Sequence, residues 1–215
     1  MFSSYENIHS HVKWSHVRLL GMSADSEEQR PPLGDLIVPG LRLLIVAINP
    51  SSRSAGIGHS FSSPGNPFWR LLHESGLTPV QFQPCEEHRL LDLGIGLVST
   101  VPRATAAAAE LTSVERRAGA ARVCTLVERH EPQVVALLGL TLYPLFFPSG
   151  GSPGPGLTPD RLHGAEIHVL PNPSGRNRAY PGFERKLVWY RDLADHLEHG
   201  ADRCGAVERS SKISE

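Results

Sequence analysis

Cysteine is scarce in this chain: Cys85, Cys124 and Cys204 lie far apart and never form a CxxC pair. Three scattered thiols exclude a disulfide framework, a four-thiolate zinc site and a four-thiolate iron-sulfur cluster built from them alone. Long apolar runs are missing too. No window approaches the roughly 20 consecutive apolar residues of a membrane span, and the first residues lack a charged start followed by an apolar run. The expectation is a cytoplasmic protein without a membrane partner. Eleven histidines form no HExxH motif, and neither a GxSxG elbow nor a GxxxxGK[ST] loop occurs. These absences count against a zinc protease, an esterase and an NTPase, and no metal or cofactor is expected. Finally, neither sign of charge dominates, with 21 Lys and Arg against 22 Asp and Glu. A net charge of -1 argues at first against a polyanionic partner.

The length allows one hydrophobic core with tails, at about 100 to 200 residues per domain. Residues 1–34 read as an N-terminal extension and linker: the stretch SADSEEQRPPLGD is polar and carries a Pro pair, while Trp14, Val17, Leu19 and Leu20 could form a short docked helix. Residues 35–199 read as the main domain, and residues 200–215, polar and without a periodic apolar face, as a loose tail. Charge is divided unevenly among these parts. The first 35 residues hold three basic and five acidic side chains, whereas residues 172–191 hold Arg176, Arg178, Arg185, Lys186 and Arg191 against Glu184 alone. A local basic face inside a neutral chain is the expectation.

Short apolar runs alternate with helical segments along the main domain. Leu41–Ile48, Gly94–Ser99, Gln133–Leu138 and Glu166–Leu170 are brief and β-rich, which suits buried strands. Helices are expected over Asn66–Ser75, over Ser113–Arg129 with Val114, Ala118, Ala121, Cys124 and Leu126 or Val127 facing the core, and over Phe183–Leu197. The Gly- and Pro-rich stretch Pro148–Asp160 reads as a loop. Strands alternating with helices predict an α/β fold, a mainly parallel sheet covered on both faces.

Ligands of such sheets sit beyond the carboxyl ends of the strands. Two segments leave strands there with the same Asn-Pro-Ser beginning. The first runs AINPSSRSAGIGHSFSSPGNPFW from Ala47 to Trp69, and the second runs LPNPSGRNR from Leu170 to Arg178. Two such loops are expected to face one cleft. By itself Asn49 reads equally as a catalytic amide or as a cap on the turn before Pro50, and Phe61 as a stacking platform or an ordinary core aromatic. His59 and Arg178 have plain surface readings beside their functional ones.

Together the two segments resemble the two motifs of the mismatch-specific uracil-DNA glycosylases, the family that includes thymine-DNA glycosylase, over about Asp35 to Leu197. The resemblance implies a three-layer α/β/α sandwich with residues 35–199 as the catalytic domain. It implies a monomeric, monofunctional DNA glycosylase of base excision repair, acting in the cytoplasm at the bacterial nucleoid. Such an enzyme flips uracil out of double-stranded DNA, preferentially from a G:U mismatch, and hydrolyses its N-glycosidic bond. Asn49 matches the residue that orients the attacking water, and Ser54 a small residue near it. Ile48, Ser51, Phe61 and Asn172 would form the base pocket, with Phe61 stacking on the base and backbone groups of Ile48 and Phe61 reading its polar edge. Ser174, Gly175, Arg176, Asn177 and Arg178 would enter or contact the DNA, Arg176 as the wedge and Gly175 and Asn177 facing the unpaired guanine. Asp92, a carboxylate ahead of a strand, is either a second catalytic candidate or a solvated residue. The sequence departs from the usual GINPG in reading AINPS, so the Ser51 side chain bears on substrate range. A broader-range glycosylase and a noncatalytic damaged-DNA binder are the alternatives.

Overall fold

A computed structural model describes residues 33–211 apart from Ser152 and Arg176, with backbone alone over residues 201–211. The expectations for residues 1–32, including the short helix around Trp14 and most of the linker, and for Arg176 and residues 212–215 lie outside the described residues.

Among the described residues five strands form one sheet: β1 (Leu43–Ala47), β2 (Ile95–Ser99), β3 (Val134–Leu138), β4 (Gly156–Leu162) and β5 (Ala165–Leu170). Their order is β2-β1-β3-β5-β4, with every neighbouring pair parallel except β4 with β5. Five α-helices of the described residues flank it, α1 (Ser52–Ile57), α2 (Phe68–Glu74), α3 (Ser113–His130), α4 (Tyr143–Phe146) and α5 (Glu184–Ser211), together with a 3-10 helix over Pro84–Leu93.

The period of two along each strand divides the core into two halves. Leu43, Ile45, Ala136 and Leu138 face a cluster with Phe68, Leu71, Leu72, Leu187, Tyr190 and Leu193 of α2 and α5. Leu44, Val46, Val135 and Leu137 face Val123 and Val127 of α3 and Tyr143 of α4. The result is the expected three-layer α/β/α sandwich around a mainly parallel sheet.

The structure corrects two details. The expected loop Pro148–Asp160 contains the start of β4, because an edge strand paired on one side tolerates both Gly156 and Pro159, and its register shifts between Leu157 and Arg161. On α3 the buried residues are Gly119, Ala120, Val123 and Val127, while Val114 is 71% exposed and Ala118 and Ala121 are exposed as well. Gly119 sets that face: a Cβ there would lie 2.4 Å from the carbonyl oxygen of Thr100, so only glycine lets the helix close on the chain leaving β2. Beyond the expected Phe183–Leu197 helix, the backbone of α5 continues to Ser211.

Candidate active site

The carboxyl ends of β1, β3 and β5 open into a cleft of about 770 Å³ whose lining includes Ile48, Asn49, Ser51, Ser54, Phe61, Asn172, Ser174, Gly175 and Asn177. Both Asn-Pro-Ser segments therefore meet at one site. Arg178 is exposed and does not line the cleft. Asp92 stands apart. It is exposed and precedes Ile95, which pairs with Leu43 at the start of β1, whereas Asn49 follows the other end of that strand. At about 3.3 Å per residue the length of the sheet separates the two side chains. Of the two readings open for Asp92, its exposure and its place fit the solvated one; a position beside a strand does not by itself say at which end of the sheet it lies.

Asn49 is held by its amide nitrogen. Nδ2 donates to the carbonyls of Pro50 (3.1 Å) and Arg103 (3.1 Å) and to Thr105 Oγ1 (2.7 Å). Thr105 Oγ1 donates in turn to the Ala107 carbonyl at 2.9 Å, so toward Asn49 it must act as acceptor. Three acceptors fix the nitrogen inward. Among the described residues no donor reaches Oδ1, which is left as an acceptor in the cleft. The residues that turn the amide lie in the segment after β2, 54 and 56 positions along the chain from Asn49. That segment is pinned by Arg103, which pairs with Glu115 at 2.6 Å, while Glu115 also closes the capping box of α3 with Thr112. Arg103 and Thr112 together hold the Glu115 carboxyl well down, to about 2.

The opposite wall is aromatic. Phe61 stacks on Phe68 with ring centroids 3.8 Å apart and planes 20° from parallel, which backs one face of the ring and leaves the rest to the cleft. Its φ of 53° is unusual for a residue with a side chain. A left-handed conformation costs about 1–3 kcal/mol and persists only where the surroundings impose it. Here Glu87 imposes it, accepting from the Ser60 amide at 2.9 Å and pairing with His59 Nδ1 at 3.0 Å, while Trp69 Nε1 donates to the Ser60 carbonyl at 3.2 Å. His59 is thereby engaged with Glu87, and it does not line the cleft.

Ser51 is engaged by the fold. Its Oγ accepts from the Ser54 amide at 3.1 Å, capping α1, and donates to Ser54 Oγ at 3.0 Å. The hydroxyls of Ser51 and Ser63 lie 3.4 Å apart, giving the cleft a polar inner wall. Of the Ile48 backbone groups expected to face a base, the carbonyl accepts from Val101 N at 2.8 Å.

The uracil DNA glycosylase superfamily model matches residues 35–194, which holds all five strands and every residue lining the cleft except Leu33. The chain belongs to this superfamily. Its members are DNA glycosylases, hydrolases that act on DNA.

The second loop of this glycosylase is organised by its own asparagines. Asn172 Oδ1 accepts from the Ser174 amide at 2.9 Å, and Asn177 Nδ2 donates to the Asn172 carbonyl at 3.1 Å. A turn closes where Asn177 N donates to the Ser174 carbonyl at 3.1 Å. Sequence reasoning missed what lies beneath. Lys186, in the first turn of α5, is buried and donates to the carbonyls of Pro173 (3.2 Å) and Ser174 (3.1 Å). Burial pushes the pKa of its ammonium down. Its counting as a surface charge from sequence was natural, since a lysine is almost never fully buried. Among the described residues no group of three or more His, Cys, Asp or Glu side chains is placed to hold a metal ion. No helix of these residues is long and apolar enough to cross a membrane.

Proposed function

We propose that this superfamily member is a monofunctional, mismatch-directed uracil-DNA glycosylase that removes uracil from double-stranded DNA, preferentially opposite guanine. The observation that carries the reading is the inward-locked Asn49 amide, whose free Oδ1 stands in a cleft walled by the Phe61 ring. Departure of uracil leaves positive charge on the sugar and negative charge on the base, so the attacking water needs positioning more than deprotonation. An amide oxygen accepts one hydrogen bond from that water and cannot take a full proton, which suits a good leaving group. The ring of Phe61 supplies a stacking surface worth about 1–3 kcal/mol to an extruded base. Asp92 at the far end of the sheet has no part in this scheme, and Asn49 acts alone as the water's acceptor. Neither motif carries an amine to attack the sugar, so the product is an intact abasic site.

Incubation with oligonucleotides containing U:G, U:A, T:G or single-stranded U, followed by alkaline cleavage of abasic sites, tests this reading. The expected result is strand scission fastest on U:G and lost in Asn49→Ala, with duplex binding retained. Binding without scission by the wild-type protein would show a damage binder instead, and equal rates on all four substrates a broad-range glycosylase.

A further inference from the structure

The ammonium of Lys186 has no carboxylate partner among the described residues, and the groups it serves are carbonyls of the loop over the cleft. A buried charge satisfied only by backbone dipoles is costly, and its removal strands the Pro173 carbonyl and leaves the Ser174 carbonyl with the Asn177 amide alone. Every peptide bond described is trans, and in a planar trans peptide the N–H points opposite to the C=O. Since the Ser174 carbonyl is turned inward to Lys186 Nζ, the amide of Gly175 is turned outward. That amide has no acceptor among the described residues, and Gly175 itself is exposed. The fold does not require glycine at this position. A Cβ added to Gly175 would meet nothing within 4 Å, and its φ lies outside the left-handed range. Open space around a glycine that neither packing nor conformation demands fits a surface approached closely from outside.

We propose that Lys186 is a positioning residue for DNA: by holding the Pro173 and Ser174 carbonyls inward, it fixes the Gly175 amide as an outward donor to an acceptor atom of the duplex. The inference rests on the proposed action on duplex DNA and concerns affinity for the mismatch, not the attack on the sugar. Lys186 reaches the nucleic acid only through the loop, so its charge is not spent on a phosphate.

Fluorescence anisotropy with a duplex carrying 2′-fluorodeoxyuridine opposite guanine, which resists cleavage, measures binding by itself. Lys186→Met is expected to raise Kd about tenfold, the scale of one charge-assisted hydrogen bond, with Lys186→Gln between it and wild type. Gly175→Pro, which removes the amide hydrogen, is expected to weaken binding by a similar factor. The double variant is then no weaker than Gly175→Pro alone, because both changes remove the same contact. Wild-type affinity in a folded Lys186→Met protein would overturn the proposal, as would losses that multiply in the double variant. If Lys186→Met does not fold, Lys186→Gln carries the same cycle. Cleavage of an ordinary U:G duplex by the wild type is read separately: a protein that binds without cleaving refutes the glycosylase assignment and leaves the cycle to decide the role of Lys186.

Discussion

Asn49 can orient water only if its amide is turned one way, and the turning is done by a side chain remote in sequence. Thr105 Oγ1 sits 2.7 Å from Nδ2 and passes its own hydrogen to Ala107, so exchanging the amide oxygen for the nitrogen would lose that hydrogen bond and leave the oxygen against carbonyls. Thr105→Val keeps the shape and removes the acceptor. The expected outcome in single-turnover kinetics is a maximal rate lowered about tenfold, corresponding to roughly 1.4 kcal/mol, with half-saturation unchanged. Thr105→Ser, which keeps the hydroxyl, should stay near wild type. Equal losses in rate and affinity for Thr105→Val would show that the threonine shapes the cleft as a whole. On the other wall, Phe61→Ala should weaken binding of the extruded base by about 1–3 kcal/mol, measured as a rise in half-saturation.

At the scale of elements, α3 is coupled to Asn49 through the segment that follows β2. The Glu115 carboxyl, held near 2 against the usual 4.5 first by Arg103 and then by Thr112, is charged in the folded protein at pH values where it would be protonated in the unfolded chain. A depressed carboxyl stabilises fully above the ordinary value and loses that contribution as pH falls toward the folded one. The difference in Tm between wild type and Glu115→Gln is therefore expected to be constant above pH 5 and to close between about pH 4.5 and 2. A difference that persists at pH 2 would assign the loss to packing. Strands β1, β2, β3 and β5 were legible in the sequence because each is a short apolar run buried almost throughout, and the cleft because two Asn-Pro-Ser segments leave strand ends. What stayed hidden depends on distance along the chain. The facing stripe of α3 is decided by the approach of Gly119 to Thr100, β4 by pairing that outweighs Gly156 and Pro159, and the Phe61 backbone by Glu87, 27 positions from Ser60. The distance of Asp92 from Asn49 was hidden for the same reason, since strand direction within the sheet is a tertiary fact.

The whole molecule carries a net charge of -1, so attraction to DNA rests on where its cations stand and not on their sum. The basic surplus over residues 172–191 is smaller on the surface than in the sequence. Lys186 is turned inward. Arg178, Arg185 and Arg191 are exposed in that segment, Arg191 with its Nε on the Glu74 carbonyl at 3.4 Å on the flank of α2 and Arg178 next to the turn that carries Gly175. Each phosphate neutralised contributes about -0.9 to the slope of log K against log salt for duplex DNA. A face built on a few arginines predicts a shallow slope, between about -2 and -3, in contrast to the steep dependence of strongly basic DNA-binding proteins. Arg178→Ala should reduce its magnitude by about one while weakening all duplexes alike, because a phosphate contact carries no sequence information. Lys186→Met should lower affinity at every salt concentration and leave the slope unchanged, since its ammonium serves backbone carbonyls. Affinity titrations from low to physiological salt separate the two effects, and an unaltered slope for Arg178→Ala would remove that residue from the DNA contact.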